Sequence, residues 1–122
     1  MSGELGRVYR DGEIIVRQGD VGDCMYVIQE GRVEILVEKD GKDVSLRIAE
    51  RGEIIGEMAI FDRQARSATV RSLGVSRLLT IDKKNFLRRI QEDPTVAFRI
   101  VEIMARRIRE LSDEVARLKE PD

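Results

Sequence analysis

Between Arg7 and Ile81 the apolar runs are short and punctuated by glycine. Helical periodicity is absent over this stretch, which points to an antiparallel barrel or jelly roll. Val33, Ile35 and Val37 alternate with Glu34 and Glu38, and Val44, Leu46 and Ile48 alternate with Ser45 and Arg47. Such alternation predicts two strands, each burying one face. Lys39-Asp40-Gly41-Lys42 lies between them, and Asp-Gly accepts the positive φ angles of a two-residue hairpin, so the two strands should pair directly. Upstream, Ile14-Ile15-Val16 and Met25-Tyr26-Val27-Ile28 are strand candidates separated by the turn formers Gln18 to Asp23. Downstream, Ser67 to Arg71 and Val75 to Ile81 read as a second strand pair flanking Ser72-Leu73-Gly74.

The pattern changes at Asp82. A short helical piece runs from Lys83 to about Ile90, Asp93-Pro94 breaks it, and a long helix extends to about Lys119. Along this helix Ala97, Val101, Met104, Ile108, Leu111, Val115 and Leu118 recur at alternating steps of four and three, a heptad seam. Phe98, Ile100 and Ile103 add a second apolar face in its first half, which predicts packing on the barrel there and the seam alone beyond. The expected fold is mainly β, an antiparallel β-roll of the double-stranded β-helix or jelly-roll type over about 7–82, followed by a short helix and a long C-terminal helix over about 83–119. With 122 residues, 1–122 is expected to be a single domain.

Charge and composition narrow the chemistry. Basic and acidic residues number 22 and 23, so no net field favours nucleic acid or an anionic membrane, and any anion site must be local. Histidine is absent, which removes the usual base of serine-type triads and the usual ligand of zinc and cupin metal sites. No catalytic residue, metal ligand or cofactor site is expected. Cys24 stands alone, beside an apolar run and with no cationic cluster next to it in sequence, and reads as a small core residue in a reducing compartment. Neither a signal peptide nor an apolar span of about 20 residues is present, so a cytoplasmic protein without membrane contact is expected.

The segment from Ile54 to Val70 reads as an anion trap. Gly56 lets the backbone approach a ligand closely, and Glu57 to Phe61 can form one helical turn whose free N–H groups point at a phosphate. Nine residues after Glu57, Arg66 offers a guanidinium fork for two phosphate oxygens, with the Ser67 hydroxyl adjacent. Glu57 would repel the phosphate, but its carboxylate accepts the hydrogen bond of a ribose hydroxyl on the same ligand. Thr69 lies on the same strand face as Ser67, and Arg63 reads as a solvated loop residue.

Gly56-Glu57-Met58-Ala59, the nine steps to Arg66, and Arg66-Ser67-Ala68-Thr69-Val70 resemble the phosphate-binding cassette of the cyclic nucleotide-binding domain. That family includes catabolite activator proteins, regulatory subunits of cAMP-dependent protein kinase and cyclic-nucleotide-gated channels. Gly12-Glu13-Ile14-Ile15, Gln18-Gly19-Asp20, Met25 to Ile28 and Gly31-Arg32-Val33 resemble the family's early strands and turns, so the match covers about 7–112. The resemblance implies that Glu57 takes the ribose 2′-hydroxyl, that Arg66 and Ser67 hold the cyclic phosphate, and that the backbone at Gly56, Glu57 and Ala68 donates N–H groups. Met58 and Thr69 complete the implied ligand-binding set. Met104 to Ile108 resembles the activators' helix, where an arginine lies near the nucleotide and a Thr-Ser pair meets the adenine. Arg107 either takes the first place here or is a charge flanking the heptad seam, and Leu111-Ser112 replaces the pair, so Leu111 would cap the purine by apolar contact.

The resulting expectation is a regulatory sensor that binds cAMP in preference to cGMP and relays occupancy through the C-terminal helix. A homodimer through that helix is expected, and no DNA contact, since the activators' helix-turn-helix has no counterpart before Asp122. The alternative is a ligand-free dimerisation module of the same fold.

Overall fold

The computed structural model describes residues 5–61 and 65–119, so Arg63 lies outside the described residues. The chain divides between Lys83 and Lys84 into two compact units.

The first unit is an antiparallel β-roll. Its strands are β1 (Arg7–Tyr9), β2 (Ile14–Val16), β3 (Cys24–Lys39), β4 (Lys42–Glu50), β5 (Ile54–Ile55) and β6 (Thr69–Asp82), and a single turn of helix, α1 (Met58–Phe61), interrupts them. The sheet order is β1-β6-β3-β4, with β2 added on β6 and β5 on β3. The hairpin closes at Lys39 opposite Lys42 through Asp40 and Gly41, whose φ angles of 55° and 76° are those the Asp-Gly pair predicts.

Two expectations need correction. Ser67 to Arg71 and Val75 to Ile81 do not form a strand pair: Thr69 to Arg71 and Val75 to Ile81 belong to one strand, β6, which runs antiparallel to β3 from Asp82 opposite Cys24 to Thr69 opposite Leu36, and Ser67 and Ala68 precede it. Gly74, at φ 68°, is absorbed as an irregularity where the register slips between Glu30 and Arg32. Its N–H donates to Asp11 Oδ1 at 2.7 Å, and the buried Ser72 hydroxyl reaches the Gly74 carbonyl at 2.7 Å, so the kink keeps its polar groups satisfied without reversing the chain. Likewise Met25 to Ile28 and Val33 to Val37 are parts of one strand, β3. The second correction concerns β4, where Val44, Leu46 and Ile48 are exposed and Ala49 is the buried residue. A register shift between Ile35 and Leu36 breaks the alternation, and β4 sits at the edge of the sheet with β3 on one side only.

The core of the roll gathers Tyr9, Val16, Ile28, Val33, Ala49, Ile55, Val70 and Leu78, with Ile15, Tyr26 and Ile35 packed against them. Each large member contributes about 1.5–3 kcal/mol by leaving water. Truncating the fully enclosed Leu78 to alanine would therefore cost about 2–5 kcal/mol once the cavity is included. This core fixes the site, because β5 pairs with β3 at Tyr26 opposite Ile55, so the chain leaving β5 at Gly56 passes beside Cys24.

The second unit holds α2 (Lys83–Glu92) and α3 (Thr95–Leu118). Asp93 Oδ1 accepts the Thr95 N–H at 3.1 Å and the Thr95 hydroxyl at 2.6 Å, closing the first turn of α3 after Pro94. These bonds hold the Asp93 carboxyl below its ordinary value. Along α3, Val101, Ile108, Leu111, Val115 and Leu118 are all at least half exposed. Among the described residues, no helix is long and apolar enough to cross a membrane.

Candidate nucleotide-binding site

Arg66 is the centre of the site. It follows Ala65, which bridges to Val21, and its main chain is gripped on both sides: Gly19 N–H donates to the Arg66 carbonyl at 2.8 Å, and Arg66 N–H donates to the Asp20 carbonyl at 2.8 Å. The half-buried guanidinium turns inward. Its Nη2 donates to the Cys24 carbonyl at 2.8 Å, and its Nη1 makes a longer bond, 3.4 Å, to the Gly56 carbonyl. The cation also stands 6.0 Å from the centre of the Tyr26 ring. Five N–H donors are present on a guanidinium, so these two bonds orient the fork while leaving donor capacity for an anion.

Two glycines leave room for this cation. At Gly56, φ is 74°, and a β-carbon there would fall 2.7 Å from Arg66 Nη1. At Gly22 a β-carbon would fall 2.7 Å from the guanidinium carbon. The backbone therefore approaches the guanidinium more closely than any side chain permits. The expectation for Gly56 concerned a ligand; in the structure the group it admits is Arg66.

Glu57 is 2% exposed, in the turn that enters α1. Burial of a carboxylate is costly unless hydrogen bonds or charge meet it, so its presence here marks a built polar position. The helical turn expected from Glu57 to Phe61 is present as α1 from Met58 to Phe61, with Ala59 and Ile60 buried and Met58 exposed. Its N–H groups are not all available, however, because Ala59 N–H donates to the Gly56 carbonyl and Ile60 N–H to the Glu57 carbonyl, both at 3.1 Å. One turn long, α1 spends these donors on itself, so donors toward a ligand must come from nearer its start.

After Arg66, Ser67 is exposed and Ala68 half-buried. Thr69 opens β6, and its Oγ1 accepts the Gln18 N–H at 3.0 Å, which ties this side chain to the neighbouring turn. Gly56 and Arg66 are thus in contact, Ser67 to Thr69 continue from Arg66, and Arg107 and Leu111 lie on α3 in the second unit, half-buried and 61% exposed respectively.

Cys24 departs from its expected role. It is half-buried, and Arg66 Nη2 lies 3.8 Å from its Sγ, so a cation does adjoin it, brought from 42 residues away in sequence. Its thiol donates to Tyr26 Oη at 3.5 Å. Burial pushes the Tyr26 phenol above its ordinary value. Gly22, Cys24 and Tyr26 are the members of the site that sequence reasoning missed. Their only signal was membership of the turn and strand that precede the cassette.

A family model for the cyclic nucleotide-binding domain matches residues 6–93. The cyclic AMP receptor protein of Thermus thermophilus is 32% identical over 110 residues, covering 89% of this chain and 51% of that protein. The crystal structure of the Thermus thermophilus catabolite activator protein superposes with a TM-score of 0.84 at 32% identity, covering 92% of this chain and 53% of that one. The EAL enzyme Bd1971 in its cAMP-bound form gives a TM-score of 0.66 at 37% identity over 91% of this chain and 30% of that one, and its cGMP-bound form gives 0.67. The chain spans about half the length of the curated receptor it matches. From the cassette joined at Gly56 and Arg66, the roll that holds it, and this match over most of the sequence, the chain belongs to the cyclic nucleotide-binding domain family.

Proposed function

We propose that the protein binds a cyclic mononucleotide, cAMP more tightly than cGMP, through Gly56, Glu57, Met58, Arg66, Ser67, Ala68 and Thr69, and that occupancy is relayed through α3. The observation that carries this reading is the inward-turned Arg66 guanidinium, steadied by two main-chain carbonyls against two glycines and so prepared to hold an anion. Preorganisation of this kind lowers the entropy lost on binding. The buried Glu57 carboxylate suits a ribose hydroxyl, and relatives of the same fold have been seen with cAMP and with cGMP. Preference for cAMP rests on Ser67: the family resemblance implies that members favouring cGMP carry a threonine directly after the phosphate arginine, where a second contact to guanine can form, and this chain has serine there.

Arg107 and Leu111 are proposed to serve the base side of the nucleotide, Leu111 by apolar contact. The exposed row Val101, Ile108, Leu111, Val115 and Leu118 supports a parallel homodimer through α3. A relay needs the ligand to favour one placement of this helix over another. Regulation rather than catalysis is the proposed role, in the cytoplasm, with no cofactor, no metal and no DNA contact by this chain.

The test is calorimetric titration with cAMP, cGMP and AMP. The expected order is cAMP, then cGMP within about a hundredfold, a gap below about 2.7 kcal/mol. Ser67→Thr should narrow that gap. Saturating cAMP that stabilises the protein no more than AMP does would leave the alternative, a dimerisation module of the same fold.

A further inference from the structure

We infer that Gln18 is a positioning residue for Arg66, acting through the backbone and not through the ligand; the inference rests on Arg66 being the phosphate-holding group. Residues 18 to 21 run beside 65 to 69, and three bonds join them: Gln18 N–H to Thr69 Oγ1 at 3.0 Å, Gly19 N–H to the Arg66 carbonyl at 2.8 Å, and Arg66 N–H to the Asp20 carbonyl at 2.8 Å. Both main-chain polar groups of Arg66 are thus held by one short turn. That turn has little to stiffen it internally. Gly19 sits at φ 92°, Asp20 N–H makes a long bond of 3.2 Å to the Arg17 carbonyl, and Gln18, Gly19 and Asp20 are all exposed.

The lateral tie comes from the Gln18 side chain. Its Oε1 accepts the Glu38 N–H at 2.7 Å, near the end of the long strand β3. One side chain therefore anchors the turn to the sheet on one side, while its own N–H and the next two residues grip Thr69 and Arg66 on the other. Because the side chain is exposed, packing contributes little, and its amide oxygen is the working atom. Without that anchor the turn shifts, the Arg66 backbone shifts with it, and the guanidinium loses its place between Gly22 and Gly56.

The experiment compares wild type with Gln18→Met, similar in length but without an acceptor, and Gln18→Glu, which keeps one. Amide hydrogen exchange is measured without nucleotide, and cAMP affinity is measured by calorimetry. Gln18→Met should speed exchange about tenfold at Gly19, Arg66 and Glu38, leave the core amide of Ile28 unchanged, and weaken cAMP about threefold to tenfold. Gln18→Glu should lie near wild type in both. Unchanged exchange at Arg66 in Gln18→Met overturns the clamp, and a rise that includes Ile28 reduces Gln18 to a general stabiliser. Unaltered cAMP affinity despite a loosened clamp overturns the positioning role. Should wild type itself fail to bind cAMP, the reading of Arg66 fails, and the exchange data still decide whether Gln18 holds its backbone.

Discussion

Replacing Arg66 separates the ligand site from the fold. In the folded protein the guanidinium makes one short bond, to the Cys24 carbonyl at 2.8 Å, and one longer bond, to the Gly56 carbonyl at 3.4 Å. Each is worth about 1 kcal/mol or less net, because the group is half-exposed and water can replace the donor at either carbonyl. Arg66→Ala should therefore cost about 1–2 kcal/mol of stability, and the buried core centred on Ile28, Val33 and Leu78 should keep the roll folded. Binding should suffer more, since the guanidinium seated between Gly22 and Gly56 would be gone, and removing a charged hydrogen-bonding partner from a ligand site costs about 2–5 kcal/mol. That range corresponds to about a thirtyfold to several-thousandfold loss of affinity. Arg66→Lys sharpens the test. An ammonium is one point charge without a planar fork, so it cannot hold the Cys24 carbonyl and two phosphate oxygens together, and the loss should be intermediate, about 1.5–3 kcal/mol. Calorimetric titration with cAMP, alongside thermal melting of each variant, reads both quantities. A well-folded Arg66→Ala variant that binds cAMP as wild type does would refute the assignment of the phosphate to this residue.

Three further outcomes are expected. Gly56→Ala should lower the melting temperature, since the left-handed conformation at φ 74° costs a residue with a side chain about 1–2 kcal/mol, and should weaken cAMP at least tenfold because its methyl displaces Arg66 Nη1; wild-type affinity in that variant would contradict the close approach. Leu111→Glu should convert a dimer to a monomer in analytical ultracentrifugation at micromolar concentration, and no change in sedimentation would count against the α3 interface. The Arg71 hydrogen bond, and a smaller one from Ser45, hold the Glu34 carboxyl below its ordinary value of 4.5. A carboxyl with a lowered folded value stabilises the protein above 4.5 and loses that contribution as pH falls through its folded value. Glu34→Gln should accordingly be less stable than wild type at neutral pH, with the difference closing on acidification; a constant difference across the melting series would exclude the ion pair as its source.

Local chemistry alone determined a good deal of this protein. Asp40-Gly41 between two alternating runs specified a hairpin, Asp93-Pro94 separated two helices, and the order Gly56, Glu57, Arg66, Ser67 marked the cassette, because each signal depends on residues within about ten positions of one another. Tertiary structure decided what sequence neighbours could not. Ser72-Leu73-Gly74 has the composition of a turn, yet pairing with β3 along both flanks outweighs that preference and keeps β6 extended. Val44, Leu46 and Ile48 alternate as buried positions do, yet an edge strand with a register shift leaves them exposed. Cys24 lay beside no cation in sequence, and Arg66 reaches it because the turn that leads into β3 holds the Arg66 main chain through Gly19 and Asp20. Gln18, Gly22 and Tyr26 join the site for the same reason: alternation encodes that a strand forms, while burial and register against a partner distant in the chain decide which side chains meet.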